Sequence, residues 1–148
     1  MNWDDYFMEM ALLASKRSSC LRRNIGAVAA KNNRILATGY NSMISHAKHC
    51  KTCIRDEMGI PSGEKHEFCK ALHAEQNLII QCAIHGVSMK HSIVYVTNKP
   101  CSICFKMLAN TMVDKIVFKN YYPDSFTDIL MRDSGYFFRK DNIIERRI

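Results

Sequence analysis

Two Cys-x-x-Cys pairs constrain this chain more than any other feature. One lies in "HCKTC" at 49–53 and the other in "PCSIC" at 100–104. The chain holds seven cysteines in all, at 20, 50, 53, 69, 82, 101 and 104. The opening "MNWDDYFMEM" is acidic and aromatic, unlike a signal peptide, and no apolar run approaches the ~20 residues that span a bilayer. A cytoplasmic setting is therefore expected. That compartment keeps thiols reduced, so paired cysteines there point to metal ligands rather than disulfides. Cys82 sits in the apolar run "NLIIQCAIHG" and reads as a small buried hydrophobe. The other six need a purpose, and the question is whether they serve one site or two.

The length of 148 residues suits a single domain, 1–148, with a core of its own. No internal repeat and no Pro-, Gly- or Ser-rich linker divides it. The net charge of +7 favours phosphate-bearing partners, either nucleotides or nucleic acid. Its basic residues are scattered, which argues against a nucleic-acid groove.

Apolar spacing predicts a helix over about 3–18, with acidic residues in its first turn. "IGAVAAK" and "RILATGY" read as a hairpin closed by Asn32-Asn33. Residues 41–70 are polar, rich in Cys, His and Gly, and without periodicity. So long an irregular stretch inside a domain is usually functional or stapled by metal. "ALHAEQNLIIQCAIH" predicts a helix ending near Gly86, and "SIVYVT" a strand. A helix follows Pro100 through "CSICFKMLAN", then a strand in "KIVF". "DSFTDILMRDSG" reads as a helix capped by Asp124 or Ser125 and stopped by Gly135, and "YFFRK" as a last strand. Strand and helix alternate through the second half. That predicts an α/β layered sandwich, with a mixed sheet of about five strands, some parallel, and helices on both faces.

The chemistry concentrates in "HAE" at 73–75 and "PCSIC", each at the start of a predicted helix. Cys101 and Cys104, three apart, share a helix face. With His73 they make a Cys₂His set, which leaves a fourth tetrahedral position open to water, as in catalytic zinc sites. Glu75, two residues after the histidine, is placed to take a proton from that water and hand it to a substrate nitrogen. Cys-x-x-Cys alone would read as half of a structural site, and "HAE" alone would carry almost nothing. In this order they resemble the H-x-E … P-C-x-x-C pattern of zinc nucleobase deaminases.

"HAEQN", "PCSICFK", "IGAV" and "GYN" resemble the cytidine deaminase superfamily, and within it the deoxycytidylate (dCMP) deaminase branch, from "WDDYFM" to about "KIVFKNYY". The resemblance implies hydrolytic deamination of dCMP to dUMP. Zinc-activated water would attack C4 of cytosine, Glu75 would shuttle protons, and ammonia would leave. It also implies a homo-oligomer, from dimer to hexamer. Asn41 of "GYN" resembles the superfamily residue beside the sugar, although it also suits a plain strand-end turn. Arg22 and Arg23 fall where the branch keeps its phosphate contacts, and Tyr122 matches a tyrosine that follows this strand. Surface charge and simple packing are the other readings of these three. The family commonly reads "GYNG" in a region tied to regulation by dCTP and dTTP with Mg²⁺. Ser42 stands in place of that glycine and bears on the feedback. Met112 replaces a common glycine after the "PCSIC" helix.

Cys20, Cys50, Cys53 and Cys69 remain. Four thiolates would close a tetrahedral, structural zinc and staple the 41–70 insertion, as bacterial and phage members of the branch often do. His49 or His66 could replace one cysteine, and four idle thiols are the plain alternative. A tRNA adenosine deaminase shares the zinc pattern but generally lacks this insertion. A free cytidine deaminase typically has cysteine where His73 stands, and a riboflavin-pathway deaminase spaces its cysteines more widely. A non-catalytic zinc module would have no use for Glu75.

Overall fold

The computed structural model describes residues 1–139 and 142–147. Helix α1 spans Trp3–Ser15, and the Asn2 side chain caps it by accepting from the Asp5 N–H at 2.8 Å. It ends three residues before the expected point. Arg17 and Ser18 already donate to carbonyls three residues back, to Ala14 and Ser15, and the last turn unwinds.

The hairpin forms as expected from β1 (Gly26–Lys31) and β2 (Arg34–Tyr40). Asn32 and Asn33 take φ of 51° and 59°, the left-handed pair that two-residue hairpin turns require. The pairing then slips by one residue between Ala29 and Ala30, a bulge.

The 41–70 insertion is less bare than expected. It carries β3 (Ser42–Met43), a one-turn helix α2 (Ile54–Glu57) and a short 3₁₀ turn at His66–Phe68. β3 pairs with β4 (Ala71–Leu72) in a small two-stranded sheet. β4 takes the first residues of the expected helix, so α3 starts later, at Ala74–Ile84, and Gly86 follows at φ 66°. Then come β5 (Ile93–Asn98), α4 (Ser102–Asn110), β6 (Lys115–Asn120) and α5 (Ser125–Asp133). The Asp124 side chain caps α5 by accepting from the Phe126 and Thr127 N–H groups.

The main sheet has six strands where about five were expected, in the order β2-β1-β5-β6-β8-β7. β7 (Tyr136–Arg139) is the expected "YFFRK" strand, whose last residue, Lys140, lies outside the described residues. The addition is β8 (Ile143–Arg146). β5 and β6 are parallel neighbours. β8 slots between β6 and β7, antiparallel to both, so β7 runs parallel to β6 without pairing with it.

The two sheet faces follow the two-residue alternation of strand side chains. Ala27, Ala29, Val94 and Val96 face the larger core with Leu78, Phe105, Leu108 and Met131 from α3, α4 and α5. Val28, Ala30 and Tyr95 face the other way, toward Phe7 and Ala11 of α1. Gly39 brings α3 onto the hairpin: a Cβ there would sit 2.4 Å from the Ala74 carbonyl oxygen. This close approach fixes the start of α3, and with it the residues that follow.

Candidate active site

α3 and α4 begin side by side, and their first residues carry the chemistry. His73 is the N-cap of α3 and Cys101 the N-cap of α4. Gln76 holds His73 in place by accepting from its backbone N–H at 2.8 Å. Asn77, one residue on, ties α3 to the hairpin by donating to the Tyr40 carbonyl at 2.8 Å and to the Ser42 hydroxyl at 3.1 Å.

His73 turns Nδ1 to both sulfurs, at 3.6 Å from Cys101 and 3.3 Å from Cys104. Zinc held tetrahedrally at about 2.3 Å from sulfur and 2.0 Å from nitrogen separates N from S by roughly 3.5 Å. The donor set and its spacing therefore fit that ion. Among the described residues this is the one group of three or more His, Cys, Asp or Glu ligand atoms within 4.8 Å of one another.

Cys101 is held down at about 4, first by a hydrogen bond with Cys104 and then by His73. The Cys104 thiol is pushed well above its ordinary value by the same hydrogen bond and by burial. Burial works against a charged His73. The Cys101 hydrogen bond and the charges of Cys101 and Glu75 outweigh it, and its pKa is raised. Glu75 is only 5% exposed, and burial raises its carboxyl above the usual range. A carboxyl so placed holds a proton more readily than one in water.

His73, Glu75 and Cys101 open onto a cavity that Arg22, Arg23, Asn41 and Tyr122 also line. All four residues expected near the substrate thus reach one pocket with the chemistry. Asn41 is nearly buried, and its amide holds the rim of the pocket. Its Oδ1 accepts from the Ile25 N–H at 2.9 Å and its Nδ2 donates to the Arg23 carbonyl at 2.8 Å. Arg23 donates to the Ser62 hydroxyl and lies 4.9 Å from the centre of the Tyr122 ring. The Tyr122 hydroxyl rests on Gly63, where a Cβ would come within 2.2 Å of it. Arg22 is engaged elsewhere, paired with Asp56 at 2.5 Å and donating to the Ile60 carbonyl at 2.6 Å.

Sequence reasoning missed Arg55, Lys99 and a second part for His66, all in the pocket wall. His66 stacks edge-on against His73, ring centres 4.9 Å apart. None of the three falls in a spaced motif. For Arg55 and His66 the one available signal was the insertion's length, and Lys99 lies outside it.

Cys20, Cys50, Cys53 and Cys69 line a second cavity of about 30 Å³, but no three of their sulfurs lie within 4.8 Å of one another. The sequence proposed His49 or His66 as a substitute ligand there. His49 contacts the Ser19 hydroxyl at 2.8 Å, and His66 lies on the catalytic side. All seven cysteines are free thiols.

The family described as "Cytidine and deoxycytidylate deaminase zinc-binding region" matches residues 1–120. The chain belongs to that family. Among its deaminase relatives, the deoxycytidylate deaminase of Schizosaccharomyces pombe is 35% identical over 137 residues, 90% of this chain. That of Mycobacterium phage D29 is 34% identical over 122 residues, 79% of this chain. The chain spans 42% of the length of the first relative and 94% of the second. A crystal structure of the dCMP deaminase from cyanophage S-TIM5, in complex with dCMP and dUMP, superposes with a TM-score of 0.74. It is 31% identical, over 88% of this chain and 90% of that one. The deaminase fold expected from the sequence is thus the fold observed. No helix among the described residues is long and apolar enough to cross a membrane.

Proposed function

We propose that this chain deaminates dCMP hydrolytically to dUMP and ammonia, feeding thymidylate synthesis. The observation that carries this reading is the buried Glu75 carboxyl beside the His73–Cys101–Cys104 set, in a pocket lined by arginines. The relatives named deoxycytidylate deaminase and the dCMP- and dUMP-bound neighbour support it.

His73, Cys101 and Cys104 would hold the zinc. Bound there, it lowers the pKa of water toward about 7 and so supplies a nucleophile at neutral pH. Glu75 would carry one proton from that water to the cytosine ring nitrogen and a second, from the hydroxyl then on C4, to the amine that leaves as ammonia. Asn41 borders the sugar, and Arg23 with Tyr122 closes the phosphate end. Arg22 contributes by holding Asp56 and Ile60 in place.

A second zinc at Cys20, Cys50, Cys53 and Cys69 staples the insertion. That all four line one small cavity supports this, and binding the ion would draw together sulfurs that stand further apart than the ligand atoms of the His73–Cys101–Cys104 set. A cytoplasmic setting would keep these cysteines reduced and available to metal. Exposed Trp3, Leu13 and Ile84 offer apolar surface for a homo-oligomer. Regulation by dCTP and dTTP with Mg²⁺ would have to accommodate Ser42, whose hydroxyl is engaged by Asn77.

Ammonia release from dCMP tests the reading, with Glu75→Gln beside the unaltered protein. Turnover by the first protein should fall by roughly 10²–10⁴-fold in the variant, with zinc content kept. No turnover of dCMP by the unaltered protein would overturn it.

A further inference from the structure

Arg55 is out of place as a structural residue. It lies on the one-turn helix α2 of the insertion and is 7% exposed. Its Nη2 donates to the Glu64 carbonyl at 2.7 Å and to the Pro61 carbonyl at 3.3 Å. Its Nε is buried with no partner. Among the described residues no carboxylate pairs with it. A buried cation without a counter-charge costs several kcal/mol, and an unmade hydrogen bond from a buried N–H adds about 1–3 more. Folded chains keep such a group where a ligand completes it.

The rest of the pocket sharpens the choice of ligand. Arg22 also has a buried, unpartnered Nη1, but its charge is already met by Asp56, and Lys99 has Asp128 at 3.0 Å. Arg23 and Arg55 are therefore the cations in the wall with no acidic partner among the described residues. Arg23 is spread over the Tyr122 ring at the rim, whereas Arg55 is fixed and deep. A guanidinium presents a planar fork that suits a phosphate oxygen pair.

We infer that Arg55, rather than Arg22, is the residue of this chain that reads the phosphate of the nucleotide, with its backbone-anchored guanidinium preset for a phosphomonoester dianion. The inference rests on the deaminase reading of the pocket. It makes Arg55 a specificity residue: it separates the nucleotide from the nucleoside and plays no part in proton transfer.

The test compares Arg55→Gln and Arg55→Lys with the unaltered protein on dCMP and on deoxycytidine. Removing one charge-assisted hydrogen bond to the phosphate should lower kcat/KM for dCMP by about 10- to 100-fold. Deoxycytidine, which has no phosphate, should change less than about threefold. Arg55→Lys should recover part of that decrease, since it keeps the charge without the fork. Melting temperature and zinc content are read on each variant. Equal decreases on both substrates would make Arg55 a brace for the 61–64 carbonyls and overturn the inference, as would no decrease on either. Arg22→Gln should weaken both substrates alike.

If the unaltered protein deaminates neither compound, the deaminase reading falls by itself. The Arg55 assignment is then decided by the rise in melting temperature with inorganic phosphate. A rise abolished in Arg55→Gln upholds it, and an equal rise in both proteins, or none in either, overturns it.

Discussion

Tyr95 shows how one side chain sets a pH limit far from the catalytic pocket. It is 1% exposed, sits between the sheet and α1, and donates to the Asp4 carboxylate at 2.6 Å. Burial, then the hydrogen bond and the negative charge of Asp4, raise its pKa. Below about pH 10 the hydroxyl is protonated in folded and unfolded chains alike, and its contribution to stability is complete. Above that, the unfolded chain ionises while the folded chain holds the proton. Stability therefore falls by up to about 1.4 kcal/mol per pH unit as pH rises toward the folded value. Tyr136, also raised by burial, acts in the same direction. Urea unfolding of Tyr95→Phe at pH 8 to 11 should show a shallower alkaline decline, at a cost of about 1 kcal/mol at pH 8 for the missing hydrogen bond. An unchanged slope would mean that Tyr95 ionises freely in the folded protein.

At the scale of elements, the end of α4 carries strain that the sequence hinted at. The family resemblance puts a glycine where Met112 stands, and a side chain ordinarily keeps φ negative. The backbone instead takes the left-handed conformation, φ 61°, that glycine adopts freely. A side chain there costs about 1–2 kcal/mol. Met112→Gly should therefore raise the unfolding free energy by about 1 kcal/mol, visible as a higher melting temperature without loss of zinc. A lower melting temperature would mean that packing of the methionine side chain outweighs the strain. Helix and strand placement was legible because period and caps agree: Asp124, Gly86 and Asn32-Asn33 act as their residue types dictate. β8 escaped because "NIIERR" is short and lacks alternation. α2 and the 3₁₀ turn escaped because three or four residues carry no period.

For the whole molecule, the catalytic cluster was legible because a metal demands fixed residue types at fixed spacing. His73, Cys101 and Cys104 converge as the motif required. The recognition residues were only half legible. A buried arginine without a counter-ion looks in sequence like any surface arginine, and Arg22 and Arg55 change places only once Asp56 is seen beside the former. The insertion's staple belongs to this scale too. Cys53→Ser should lower bound zinc from two to one per chain and expose 44–69 to proteolysis before the sheet unfolds, since a structural ion contributes folding free energy directly. A variant that kept two zincs and its melting temperature would refute the staple.

None of the six strands of the main sheet is drawn from residues 44–70. The groups that break and make bonds hang from helices seated on that sheet, whereas Arg55 and His66 arrive on the insertion. The chain thus behaves like a tool with an exchangeable bit. On the proposed reading, substitutions between 44 and 70 that spare the cysteines of the staple would change which cytosine compound enters, while the machinery at 73–75 and 101–104 passes unaltered from one specificity to the next.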